Sequence, residues 1–236
     1  MNPFKIILQI LFPNRCLFCG AQCSDKSYKC EFCETPERPV VRVFNIRPGV
    51  KGKYSHLLKV YSPRIYTGFY RESLHHFKFR RVTYLAQKYA MLIDEMNFFN
   101  KGSDYITFVP MTKNKVRERG YNQAELLAKS LGKISKLEVK EVLFKEKNNT
   151  EQHTLKMAER KKNIKGIFKA EGDIKGRHII LVDDIVTTGS TICECARLLY
   201  NKGAATVTGI CAADAQTRNR SEYKRKKFKI IKEKKK

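Results

Sequence analysis

Between residues 83 and 99 apolar side chains recur at the spacing of a helix with one buried face, and Lys101-Gly102 ends the run. Ahead of it, the aromatic and β-branched stretch Val60–Tyr70 predicts a short strand or hairpin. The pattern then alternates. Tyr105–Pro110 reads as a strand, Asn122–Leu131 as a helix, Leu137–Phe144 as a strand and Glu151–Asn163 as a polar helix or loop. His178–Val182 is a strand of five residues, four of them apolar, as expected of a buried strand. Thr191–Lys202 is a helix stopped by Gly203, and Ala205–Ala212 is a last strand. Strands alternating with helices imply βαβ units, hence an α/β fold around a mostly parallel sheet.

The flanks follow other rules. Phe4–Phe12, the longest apolar stretch, is interrupted by Lys5 and Gln9. It falls well short of the roughly 20 apolar residues of a membrane span. No small-residue cleavage site follows it, so a short amphipathic helix is expected rather than a secretory leader, and the protein is expected to be cytoplasmic and not an integral membrane protein. Pro36, Pro39, Pro48, Gly49 and Gly52 predict a linker. Four parts result: residues 1–35 as an N-terminal helix and cysteine module, 36–55 as linker, 56–215 as the α/β domain, and 216–236 as a disordered basic tail.

Charge adds a possible partner. Lys and Arg number 48 against 23 acids, a net +25. Lys-rich surfaces attract phosphate backbones without sequence preference. Tyr223–Lys229 also interleaves aromatics with cations, the pattern of single-stranded DNA binders. A solvated tail has the same composition.

Five of eight cysteines lie within residues 16–33. Cys16-Leu17-Phe18-Cys19 and Cys30-Glu31-Phe32-Cys33 form two CxxC pairs, the spacing of a tetrahedral four-thiolate zinc site that holds structure. Cys23 stands close enough to replace one ligand. A disulfide cluster and a redox CxxC are the alternatives. Cys193, Cys195 and Cys211 read as small buried apolar residues.

The stretch that carries chemistry is Ile179-Ile180-Leu181-Val182-Asp183-Asp184-Ile185-Val186-Thr187-Thr188-Gly189-Ser190-Thr191. A buried strand delivers two adjacent carboxylates at its carboxyl end, where α/β sheets bind ligands. Thr187, Thr188, Ser190 and Thr191 add hydroxyl donors, Gly189 permits close backbone approach, and the following helix N-terminus favours an anion. Carboxylates beside a phosphate cradle suit a sugar phosphate. An Asp-Asp cap on a Ser/Thr-rich helix start is the alternative.

This stretch resembles the phosphoribosyl-pyrophosphate (PRPP) signature of type I phosphoribosyltransferases. The chain as a whole resembles the ComF family, which joins a four-cysteine zinc module to such a domain. Tyr70–Arg80 (with His76-Phe77-Lys78-Phe79), Arg117-Glu118-Arg119-Gly120-Tyr121-Asn122-Gln123, and Gln152 with Arg160–Asn163 and Phe168 are also similar to that family. The resemblance implies that Asp183 and Asp184 hold ribose hydroxyls and that Thr187–Thr191 bind the 5′-phosphate. Mg²⁺ would ride on the pyrophosphate. Pro110 would open a pyrophosphate loop in which Lys113, Lys115, Arg117 and Arg119 neutralise charge. Residues 147–163 would form a hood. Purine-salvage members carry an acid three residues after the second Asp. Thr187 stands there instead, which disfavours purine salvage. ComF proteins are associated with uptake of single-stranded DNA in competent bacteria, which implies uptake-machinery partners.

Overall fold

A computed structural model describes residues 13–24, 27–36, 38–47, 55–97, 102–145 and 166–215. The expected N-terminal helix, the hood and the basic tail lie outside them. The main sheet has five strands: β1 (Val40–Ile46), β2 (His56–Ser62), β3 (Tyr105–Phe108), β6 (His178–Val186) and β7 (Thr206–Asp214). Their order is β1-β2-β7-β6-β3. β1 runs antiparallel to β2, and the other three junctions are parallel. Ile179–Val182 are all buried, as a central parallel strand requires.

Among the described residues the helices are α1 (Gly68–Phe79), α2 (Leu85–Glu95), α3 (Lys113–Arg119), α4 (Gln123–Ser135) and α5 (Ser190–Asn201). α4 starts where expected because the Asn122 side chain accepts a hydrogen bond from the Ala124 amide, a standard N-cap. α2 packs on α4, and α4 lies on β3 and β6. α5 covers β7 closely, since a Cβ at Gly209 would meet Val60 at 2.8 Å and Ile192 at 3.2 Å.

Four elements differ from the sequence reading. β1 lies within residues 36–55, where a linker is expected: Val40, Arg42, Phe44 and Ile46 turn inward while Val41, Val43 and Asn45 face solvent. The flanking Pro and Gly residues punctuate this strand rather than replace it. α1 occupies the end of the stretch expected as strand Val60–Tyr70. Its buried residues Tyr70, Ser73, Leu74 and Phe77 sit at i, i+3, i+4 and i+7, a helical signature. Leu137–Phe144 divides between a bridge from Val139 to Ile106 and a small antiparallel pair, β4 (Leu143–Lys145) with β5 (Phe168–Ala170). Residues 113–119, expected as loop, form α3, capped by the Thr112 hydroxyl and ended by Gly120 at φ +89°.

Candidate sugar-phosphate site

β6 runs past Val182 and carries both acids within the strand. Asp183 lies opposite Cys211 of β7, and pairing continues to Val186 opposite Asp214. The apolar partner Cys211–Ala213 sustains the strand where local propensity would end it. The Asp183 Oδ1 accepts the Asp184 amide at 2.8 Å. The Asp184 Oδ2 meets Lys78 Nζ at 2.9 Å. Burial, and then the neighbouring Asp184 carboxylate, push the Asp183 pKa up to about 8. Asp183 retains some exposure along the cavity wall.

Such a carboxyl costs the fold stability as pH climbs. Below the ordinary carboxylate range both folded and unfolded chains hold the proton. Between there and about 8 the unfolded chain ionises first, and stability is lost. Asp183→Asn removes that loss and keeps the oxygen that accepts the Asp184 amide. The variant should melt several degrees above wild type at pH 8, about 1–2 kcal/mol. The gap should close toward pH 4. Thermal melts across that range check it, and a constant gap would contradict the raised pKa.

After β6 the chain turns through Thr187–Gly189 into α5. Gly189 takes φ +79° at the helix N-cap, and a Cβ there would lie 2.4 Å from carbons of the Phe44 ring. Only glycine fits both the backbone and the space. Thr188 and Ser190 hydroxyls pair at 2.9 Å. β1 braces the turn: Arg42 donates to the Thr187 carbonyl at 2.5 Å, pairs with Asp214 at 3.5 Å, and stacks its guanidinium 4.8 Å from the Phe44 ring centroid.

Asp183, Asp184, Thr187 and Thr191 line one cavity of about 470 Å³ together with Pro110, Met111, Lys78, Lys115, Arg119 and Lys145. α3 has to divide the four basic residues expected to act together. Lys115 and Arg119 line this cavity, whereas Lys113 and Arg117, one turn apart, face a separate depression with Phe108, Glu125 and Glu141. The 3.6-residue repeat sends the two i,i+4 pairs to different faces. The Arg119 Nε is buried without a hydrogen-bond partner, a donor waiting for an acceptor. Burial, and then Lys115, hold the Lys145 pKa below the usual lysine value.

The stretch Tyr121-Asn122-Gln123 acts as a clamp. Tyr121 donates its hydroxyl to the Phe77 carbonyl, Asn122 Nδ2 donates to the Val109 carbonyl at 3.0 Å, and Gln123 Nε2 donates to the Lys78 carbonyl at 3.2 Å. One segment thus ties the end of α1 and the end of β3 to α4. The sequence marks these residues by their family likeness, but not this role.

The Sγ atoms of Cys16, Cys19, Cys30 and Cys33 lie within 4.8 Å of one another. Four sulfurs at tetrahedral Zn–S distances of about 2.3 Å would be roughly 3.8 Å apart, so the donor set fits zinc. The Phe18 amide donates to the Cys16 Sγ at 3.3 Å, a contact that stabilises a thiolate. Cys23 stands outside the group, its Sγ accepting from Asn14 Nδ2 at 3.2 Å. Leu17 is buried, and Phe18 packs against Tyr28 and Tyr70, each at 6.0 Å. Lys88 donates to the Arg15 carbonyl, and Tyr28 to Glu95. Cys195 and Cys211 are buried, as expected.

The fold and site define an α/β protein with a carboxylate pair and a glycine turn at the end of a central parallel strand. The chain belongs to the phosphoribosyl transferase domain family, whose profile matches residues 116–235. A DNA utilization protein YhgH of Shigella flexneri is 39% identical over 109 residues, 46% of this chain and 48% of that one. Competence protein ComFC of Bacillus subtilis is 34% identical over 144 residues, 59% of this chain and 57% of that one. The chain spans about half the length of the curated relatives it matches. An allosteric regulatory enzyme of purine biosynthesis has a similar structure, with 16% identity over 56% of this chain and 26% of that one and a TM-score of 0.40. Among the described residues no helix is long and apolar enough to cross a membrane.

Proposed function

We propose that the cavity binds PRPP and that the protein transfers or recognises a phosphoribosyl group in the handling of incoming DNA. The observation that carries this reading is the convergence of the acid pair, Thr187 and Thr191 at the two ends of the turn, and four cations (Lys78, Lys115, Arg119, Lys145) on one cavity. The carboxylates of Asp183 and Asp184 would accept the ribose hydroxyls. Amides and hydroxyls of Thr187–Thr191 would hold the 5′-phosphate at the α5 N-terminus. Lys115 and Arg119 would stabilise charge on the pyrophosphate as the acceptor bonds to C1 and the C1–O bond breaks. Carboxylate oxygens are the donors Mg²⁺ accepts, and Mg²⁺ arriving with the pyrophosphate would add charge neutralisation. Zinc in the four-cysteine group would hold structure, since four thiolates leave no open coordination position.

The link to DNA uptake rests on the names of the relatives, a DNA utilization protein and a competence protein. The net charge of +25 favours a second reading, a non-catalytic accessory for single-stranded DNA with partners in the uptake machinery. Calorimetric titration of PRPP with Mg²⁺ separates the two. Wild type should bind, and Asp183→Asn/Asp184→Asn should lose binding by about a hundredfold or more. Saturable binding justifies an acceptor screen that follows pyrophosphate release. A folded, zinc-loaded wild type that binds nothing sinks the transferase reading and puts DNA handling first.

A further inference from the structure

Lys78 lies outside the residues matched by the family profile, yet its side chain reaches the acid pair. It occupies the last turn of α1, where a cation is favoured by the helix C-terminus. Phe77, its neighbour, is anchored in the core, and the Lys78 carbonyl is held by Gln123. The backbone is therefore fixed, while the side chain, 26% exposed, lines the cavity together with Lys115, Arg119 and Lys145. Its Nζ pairs with the Asp184 Oδ2 at 2.9 Å. A ribose diol seated on Asp184 would donate to the same carboxylate and compete for that contact.

We propose that Lys78 is a ligand-exchanged cation: it covers Asp184 in the free site and passes to a pyrophosphate oxygen when the diol takes the carboxylate. This rests on the sugar-phosphate reading of the cavity. The exchange has two consequences. Asp184 keeps a countercharge before the ligand arrives, and Lys78 contributes affinity only to ligands that bear both a ribose diol and a pyrophosphate. Ribose 5-phosphate, which lacks the pyrophosphate, gains nothing from Lys78 and has to displace it.

The test is calorimetry on the full, zinc-loaded chain with two probes, PRPP with Mg²⁺ and ribose 5-phosphate. Lys78→Met should weaken PRPP binding by roughly tenfold to a hundredfold, the worth of one charged hydrogen bond. It should leave ribose 5-phosphate binding unchanged within about twofold, or tighten it. Lys78→Arg should retain most of the PRPP affinity, since a guanidinium also binds phosphate. Equal losses for both probes would make Lys78 merely structural and overturn the proposal, as would no loss for PRPP. If Lys78→Met does not fold, Lys78→Gln serves in the same comparison. Wild type that binds neither probe would instead sink the sugar-phosphate reading itself, and the proposal with it.

Discussion

Cys30→Ser, or a chelator that strips the four-cysteine group, is expected to unfold residues 13–36 and lower the melting temperature sharply. Structural zinc is worth on the order of 10 kcal/mol to small modules at neutral pH, and the described residues give this one only a small apolar core of its own. It contributes few residues to the core: Leu17 and Tyr28 are its large buried side chains. Its remaining ties to the body are polar or aromatic contacts, with Lys88 on the Arg15 carbonyl and Phe18 against Tyr70. Loss of the module would uncover Tyr70 and Phe69, which is packed on Gly20. Aggregation on warming is the expected sign. Metal analysis should give one zinc per chain for wild type and none for Cys30→Ser. Cys23→Ser should keep both the metal and the melting temperature, because its sulfur lies outside the group. A Cys30→Ser protein that melts like wild type would show that zinc is not what holds the module.

Gly189→Val is expected to abolish binding at the cavity while the rest of the chain folds. Two penalties coincide at this position. A side chain at φ +79° costs about 1–2 kcal/mol, and more when β-branched. Its Cβ would also fall 2.4 Å from the Phe44 ring, so either the ring or the turn must move. Arg42 stacks on that ring and holds the Thr187 carbonyl, so movement of the ring carries the 187–189 turn with it. The expected fall in PRPP affinity is about a hundredfold or more, with a stability loss of about 2–4 kcal/mol. Gly189→Ala with Phe44→Ala separates the two causes by a double-mutant cycle. The clash should vanish from the cycle and leave the backbone cost. Additive effects of the two substitutions would mean that Phe44 does not brace the turn.

Both predictions turn on contacts between residues far apart in the chain, and these are what sequence patterns read least well. Periodicity found α2, α4, α5 and the buried β6, because each repeats a local signal over several residues. It missed α1, although Tyr70, Ser73, Leu74 and Phe77 have helical spacing, because Ser73 is polar and the aromatic stretch ahead of it favoured a strand. It took β1 as linker, because a seven-residue edge strand between prolines and glycines looks like punctuation until β2 is there to pair with it. The four basic residues of 113–119 illustrate the same limit. Their composition suggested one electrostatic group, but a helix divided them between two faces, so Lys115 and Arg119 line the cavity of the acid pair and Lys113 and Arg117 do not.

What the sequence determined by itself is the chemistry carried on contiguous residues: two CxxC turns, an acid pair at the end of an apolar strand, and a hydroxyl-rich glycine turn opening a helix. In such motifs the chain's own geometry sets the spacing of the functional atoms, so a short local pattern is enough. Tertiary structure alone decided which distant groups meet them. It brought Lys78 to Asp184, Arg42 and Phe44 beneath the turn, and Tyr121, Asn122 and Gln123 onto the ends of α1 and β3. The physical reason is that these contacts depend on strand order and helix packing, which are settled by burial over the whole core rather than by any single stretch of chain.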